Sequence, residues 1–140
     1  MQKQFSNELY KADDDAKNAV GKWLASRWGF TNVRVNPDRY GIDLLGEHNG
    51  TKFGIEVEVK HNWKGQRFPF ASLHYAARKV KFLDSAEVVY FVTVNDDRTH
   101  LLLTSSEDMN GLKLVKKDTS YTSNEWFLEV PIDKCFTYEL

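Results

Sequence analysis

The chain has 140 residues, 41% of them hydrophobic and 28% charged, with a net charge of −1. That length suits one domain, residues 1–140, with a core of its own, and nothing in the total charge singles out nucleic acid as a partner. No run approaches the roughly 18 apolar residues of a membrane-spanning helix, and the N-terminal MQKQFSNELYKADDD has no signal-type apolar stretch, so a cytoplasmic protein with no membrane partner is expected.

Residues from about Ser6 to Trp28 read as a helix, because Leu9, Ala12, Ala16, Ala19, Val20, Trp23 and Leu24 form an apolar stripe at helical spacing. Gly29 is a natural stop. A short strand, TNVRVN, ends at Pro37. The next strand, YGIDLLG, leads through EHNGTK into FGIEVEVK, and the Asn49–Gly50 pair is a hairpin signal. A Pro-interrupted aromatic loop, HNWKGQRFPF, follows. Ser72 to Leu83 is then expected as a second helix, capped by Ser72, with Leu73, Ala76, Ala77, Val80 and Leu83 on one side. EVVYFVTVN reads as a strand buried on both faces, and HLLLTS as a further strand. The tail EWFLEVPIDKCFTYEL reads as a strand broken at Pro131, while Ser105 to Ser123 carries no pattern that places it. Helix, three strands, helix, two strands and a C-terminal strand extension predict an α/β fold with a mixed sheet flanked by helices. The single cysteine, Cys135, can form neither an internal disulfide nor a thiolate zinc site, and is expected as a packing residue.

Charge is segregated along the chain. From Val59 to Leu83 there is no Asp or Glu, yet Lys60, Lys64, Arg67, Arg78, Lys79 and Lys81 all fall there. Such a run makes a local positive surface on a near-neutral protein. On the expected second helix, His74, Arg78 and Lys81 recur at i, i+4 and i+7 along one flank, where cations can meet successive phosphates. Trp63, Phe68 and Phe70 interleave with Lys64 and Arg67 in the preceding loop, a pattern that serves base stacking or, equally, loop packing or a homodimer contact.

The central hairpin carries the chemistry. In GIEVEVK, Ile55, Val57 and Val59 alternate with Glu56, Glu58 and Lys60, so one face is aliphatic and the other charged. A two-residue turn sets Asp43 opposite Glu56; a four-residue loop sets it opposite Glu58. Either register gathers Asp43, Glu56, Glu58 and Lys60 on one face. Clustered carboxylates repel unless cations join them. Lys60 supplies one charge, and an oxygen-rich site of this kind suits Mg²⁺ or Mn²⁺.

YGIDLLG followed by GIEVEVKH resembles the PD-(D/E)xK nuclease superfamily, in which an Asp begins the second core strand and a (D/E)xK follows on the third. Within it, WGFTNVRVNPDRYGIDLLG…GIEVEVK is similar to small Holliday-junction-resolvase-like and phage nucleases. The resemblance covers roughly residues 6–104, about two-thirds of the chain. The Pro that usually precedes the Asp is absent, Gly41–Ile42 standing there instead. The resemblance implies a restriction-endonuclease-like αβββαβ core and a Mg²⁺- or Mn²⁺-dependent DNA endonuclease, acting on branched or junction DNA. Its catalytic set would be Asp43, Glu58, Lys60 and a first-helix acid. Asp13 lies nearest the apolar stripe; Asp14, Asp15 and Glu8 stay open. Asp43, Glu58 and the Val59 carbonyl would hold the metal, and Lys60 would hold the attacking water or stabilise the transition state. Lys64, Arg67, His74, Arg78 and Lys81 would meet DNA. Glu56 is left as an extra ligand, a partner of the ligands or a surface carboxylate. The alternative is a DNA-binding or structural module that keeps the nuclease fold without turnover.

Overall fold

The computed structural model describes residues 7–109, 111–117 and 125–140, with the side chains of 7–13 and of 117 set aside. Helix α1 spans Asn7–Trp28. Ala16, Val20, Trp23 and Leu24, the stripe seen in the sequence, are buried on one side of it. Gly29 ends the helix at φ +72°, a left-handed conformation that glycine adopts without a Cβ penalty, and the Phe30 N–H then returns to the Leu24 carbonyl at 3.1 Å.

The strands β1 (Thr31–Val35), β2 (Leu44–His48) and β3 (Thr51–Lys60) follow, with β2 and β3 joined by the two-residue Asn49–Gly50 turn. Both turn residues have positive φ, +50° and +80°, as a tight hairpin matched to strand twist requires. Leu44 pairs with Ile55 and His48 with Thr51. The shorter of the two registers is therefore the one formed, and Asp43 stands opposite Glu56 just outside the strand.

The expected helix over Ser72–Leu83 does not form. Ser72–Ala76 is strand β4, and Ala77–Asp84 is a run of 3₁₀ turns. Leu73 and Tyr75 point inward while Ser72 and His74 are half-buried, a period of two that a helical reading of the same apolar positions conceals. The strand is selected by a remote partner, β8 (Glu125–Pro131), with Leu73 opposite Val130 and Tyr75 opposite Leu128. Ser72 is thus a strand residue rather than a helix cap. Strands β5 (Val88–Asn95), β6 (His100–Ser105) and β9 (Phe136–Glu139) match the expected positions, and β7 (Leu114–Lys117) lies in the stretch that the sequence left unplaced.

A six-stranded mixed sheet runs β1-β2-β3-β5-β6-β9, parallel only between β3 and β5, and a three-stranded antiparallel sheet runs β4-β8-β7. The α/β class with a mixed central sheet is as expected, but a helix covers only one face among the described residues. On that face α1 packs with Ile55, Val57, Val59, Val92 and Val94. On the other, Trp63, Leu73, Tyr75, Leu128 and Val130 join Val89, Phe91 and Leu102 in a second core. Burying each such aliphatic side chain contributes about 1.5–3 kcal/mol before conformational entropy is counted. Cys135 packs beside this second core, with Thr104 Oγ1 3.3 Å from its Sγ.

Candidate active site

β3 is flanked by two layers, so its alternation sorts its side chains between them. Ile55, Val57 and Val59 enter the α1 core, and Glu56 and Glu58 turn the other way, toward the 3₁₀ segment. Because β2 begins only at Leu44, the β3 backbone opposite Asp43 lacks a strand partner. The Asp43 side chain takes that place: its Oδ2 accepts the Val57 N–H at 2.8 Å. In return Glu56 Oε1 accepts the Asp43 N–H at 3.2 Å. The Asp43 carbonyl accepts the Asn36 N–H at 3.0 Å. These bonds fix both carboxylates at the open end of the hairpin.

Two lysines outside the expected motif reach them. Lys17 of α1 places its Nζ 3.2 Å from Asp43 Oδ1 and 4.0 Å from Asp14 Oδ1. Lys79, in the 3₁₀ segment, lies 3.3 Å from Glu56 Oε2 and 3.9 Å from Glu58 Oε2. Lys60 sits with its ammonium 5.3 Å from the Phe70 ring centroid. The positive charge that the carboxylate cluster demanded therefore comes in part from Lys17 and Lys79. Lys79 belongs to the basic run, yet the helical wheel picks out its neighbours Arg78 and Lys81 instead. Lys17 follows the buried stripe residue Ala16, and no motif marks it.

Glu56 is only 7% exposed. Burial raises its pKa from 4.5 to about 7; Lys79 works against that rise, and the charge of Asp43 adds to it. Lys79 titrates above its ordinary value: burial disfavours its charge, but Glu58 and Glu56 outweigh burial. Glu56 is thus a buried partner of Asp43 and not a surface carboxylate. Glu58 is different, its side chain 46% exposed and open to a ligand from solvent.

An all-oxygen set of Asp43, Glu58 and the Val59 carbonyl suits a hard divalent cation, and the Lys79 ammonium marks the same neighbourhood as one that attracts positive charge. Among the described residues, however, no three His, Cys, Asp or Glu side chains are already gathered at metal-binding spacing. Asp43, Glu56 and Glu58 nevertheless share the open end of the hairpin, Asp43 engaged with the Val57 N–H and Lys17, and Glu56 with the Asp43 N–H and Lys79. The Val59 side chain is in the first core, leaving its carbonyl as the group it could offer. The Asp13 side chain lies outside the described residues; Asp14, on the same turn, approaches the site through Lys17.

The residues expected to meet DNA lie on the loop after β3, on β4 and in the 3₁₀ segment. Lys64 and Arg67 are exposed. Arg67 lines a groove of about 500 Å³ with Phe68, Pro69, Phe70 and Ala71, and Phe70 links this groove to Lys60. Trp63 is fully buried, so its ring serves the core and does not stack on bases. The single cationic flank of His74, Arg78 and Lys81 is overturned with the helix that produced it. His74 Nε2 lies 3.1 Å from Glu129 Oε2, Arg78 binds Glu125 at 2.6 Å, and Lys81 lies 5.3 Å from the Phe82 ring centroid. His61 pairs with Asp96 at 2.8 Å where the parallel strands β3 and β5 end, and this hydrogen bond lowers the Asp96 pKa.

No described helix is long and apolar enough to cross a membrane. No protein-family model and no curated protein matches the chain. Among solved structures, the chain is similar to Hjc, a Holliday junction resolvase from the archaeal hyperthermophile Archaeoglobus fulgidus, at 15% identity, with 85% of each chain covered and a TM-score of 0.49.

Proposed function

We propose that this chain is a divalent-metal-dependent DNA endonuclease, using Asp43, Glu58 and the Val59 carbonyl to hold Mg²⁺ or Mn²⁺. The observation that carries the reading is the joining of Asp43, Glu56 and Glu58 with Lys17 and Lys79 at the open end of the β2–β3 hairpin. A metal bound there would acidify a water and offset charge on a phosphodiester. The chain's own residues supply the rest. Glu56 holds Asp43 in place through the Asp43 N–H. Lys60 and Lys79 bring ammonium groups to a phosphate that gains charge in the transition state. Lys64 and Arg67, exposed on the loop that leaves β3, orient the DNA backbone without reading its sequence.

A second reading has its own support. Lys17 and Lys79 already offset the carboxylates, as a module that binds DNA without turnover would tolerate. One experiment separates the two. Calorimetric titration with Mn²⁺ is run beside cleavage of branched, duplex and single-stranded DNA, on wild type, Asp43→Asn and Glu58→Gln. The nuclease reading expects metal binding and cleavage in wild type and loss of both in each variant, with the fold intact. DNA binding by a wild type that never cuts in Mg²⁺ or Mn²⁺ would establish the binding module instead.

A further inference from the structure

The segment that delivers Asp43 to the site ends in an exposed aromatic ring. Asn36 to Asp43 is a closed loop, because the Asn36 N–H bonds the Asp43 carbonyl at 3.0 Å. Inside it, the Asp38 N–H donates to Asn36 Oδ1 at 3.1 Å, the Tyr40 N–H to Asp38 Oδ1 at 3.0 Å, and the Gly41 N–H to the Asp38 carbonyl at 3.0 Å. The loop is also tightly packed, since a Cβ at Gly41 would come within 2.6 Å of Asn36 Nδ2. This framework holds Arg39 and Tyr40 at its tip. Tyr40 is 78% exposed. The Arg39 guanidinium lies 5.4 Å from the Tyr40 ring centroid, and among the described residues no carboxylate pairs with it.

We infer that Arg39 and Tyr40 form a subsite for an unpaired nucleotide, its base stacked on the Tyr40 ring and its phosphate on the Arg39 guanidinium. The inference rests on the nuclease reading above and adds what part of the substrate is recognised. Three chain steps separate Tyr40 from Asp43, so their Cα atoms are at most roughly 10 Å apart. Adding the reach of the two side chains, the ring lies within roughly 20 Å of the Asp43 carboxylate, a span that one strand of a few nucleotides covers. An aromatic face accepts any base, whereas in an intact duplex the base faces are already stacked on one another. A cation-flanked ring thus favours loops, flaps and branch points over paired DNA. The competing occupant is a second copy of the chain, since Val35 on the edge strand β1 is exposed as well.

The test compares wild type, Tyr40→Ala and Tyr40→Phe in Ca²⁺, where binding is read without turnover. The probes are a paired duplex and the same duplex with one unpaired 2-aminopurine. Aromatic–base stacking of about 1–3 kcal/mol corresponds to a loss of about fivefold to a hundredfold in affinity for the unpaired probe in Tyr40→Ala. The paired duplex should change by less than about threefold, and Tyr40→Phe should keep both the affinity and the quenching of 2-aminopurine. Equal losses on both probes, or none on either, overturn the subsite and leave the nuclease reading standing. A dimeric wild type that becomes monomeric in Tyr40→Ala by sedimentation overturns it in favour of the second copy. A wild type that binds neither probe and cuts no DNA overturns both readings.

Discussion

Glu56→Gln should make this protein more stable, and only above a definite pH. Glu56 is buried, its carboxyl pKa raised to about 7 against an ordinary 4.5. A carboxyl that holds its proton more tightly when folded stabilises the fold while protonated in both states, below about pH 4.5. Between 4.5 and about 7 the unfolded chain ionises first, so stability falls as pH rises, and above that range the full penalty is present. At about 1.4 kcal/mol per pH unit, the gap comes to about 3 kcal/mol. Gln keeps the acceptor for the Asp43 N–H and carries no charge. The variant should therefore match wild type near pH 4.5 and exceed it by about 3 kcal/mol at pH 8, or by about 10 °C in Tm at this chain length. Urea unfolding followed by tryptophan fluorescence, in EDTA at both pH values, measures the difference directly. Carboxylates remote from Glu56 cancel between the two proteins, and the Asp43 charge that acts on Glu56 is part of the difference measured. A Glu56→Gln variant less stable than wild type at pH 8, or a difference the same at both pH values, would refute the argument. The first outcome would mean that the Lys79 contact at 3.3 Å outweighs burial, and the second that folding does not shift the Glu56 pKa.

Two more predictions follow from the same region. Lys60→Ala should lower single-turnover cleavage by about two to three orders of magnitude with DNA binding in Ca²⁺ unchanged; Lys79→Ala should do the same and also lower stability above pH 7, because Glu56 loses its counter-charge, and full cleavage in both variants would exclude these two ammonium groups from the reaction. Trp63→Ala should cost about 3–5 kcal/mol in urea unfolding, since a fully buried ring packed against Phe68 leaves a cavity; a loss below about 1 kcal/mol would show that the loop does not depend on it.

The elements legible in the sequence are those whose determinants are local. The α1 stripe, the Gly29 stop and the Asn49–Gly50 turn each lie within a few residues of what they specify, and each stands where expected. Strand period puts Asp43 on the face of Glu56 and Glu58 for either turn length, and the two-residue turn of the structure sets it opposite Glu56. The segment from Ser72 to Leu83 was not legible in this way. Its apolar residues fit a helix, but Leu73 and Tyr75 also alternate, and the choice is made by β8 from the far end of the chain. That one substitution of strand for helix removes the cationic flank of His74, Arg78 and Lys81. It also brings Lys79, which the wheel passed over, onto Glu56 and Glu58.

Asp43 shows why fold and site are hard to separate here, and how a variant can separate them. Its Oδ2 closes a backbone bond to Val57 that a longer β2 would otherwise have made, while its Oδ1 faces Lys17. One carboxylate thus ends the hairpin ladder and presents charge at the site. Asp43→Ala would lose both functions, leaving the Val57 N–H without its acceptor at a cost of about 1–3 kcal/mol, and lost cleavage in that variant would be ambiguous. Asp43→Asn keeps an oxygen for Val57 and removes only the charge. It should retain stability to within about 1 kcal/mol in urea unfolding while Mn²⁺ binding disappears. An Asn variant that unfolds as readily as the Ala variant would show that the Lys17 pairing holds the hairpin end. A stable Asn variant that still binds Mn²⁺ as wild type does would show that the metal is held elsewhere.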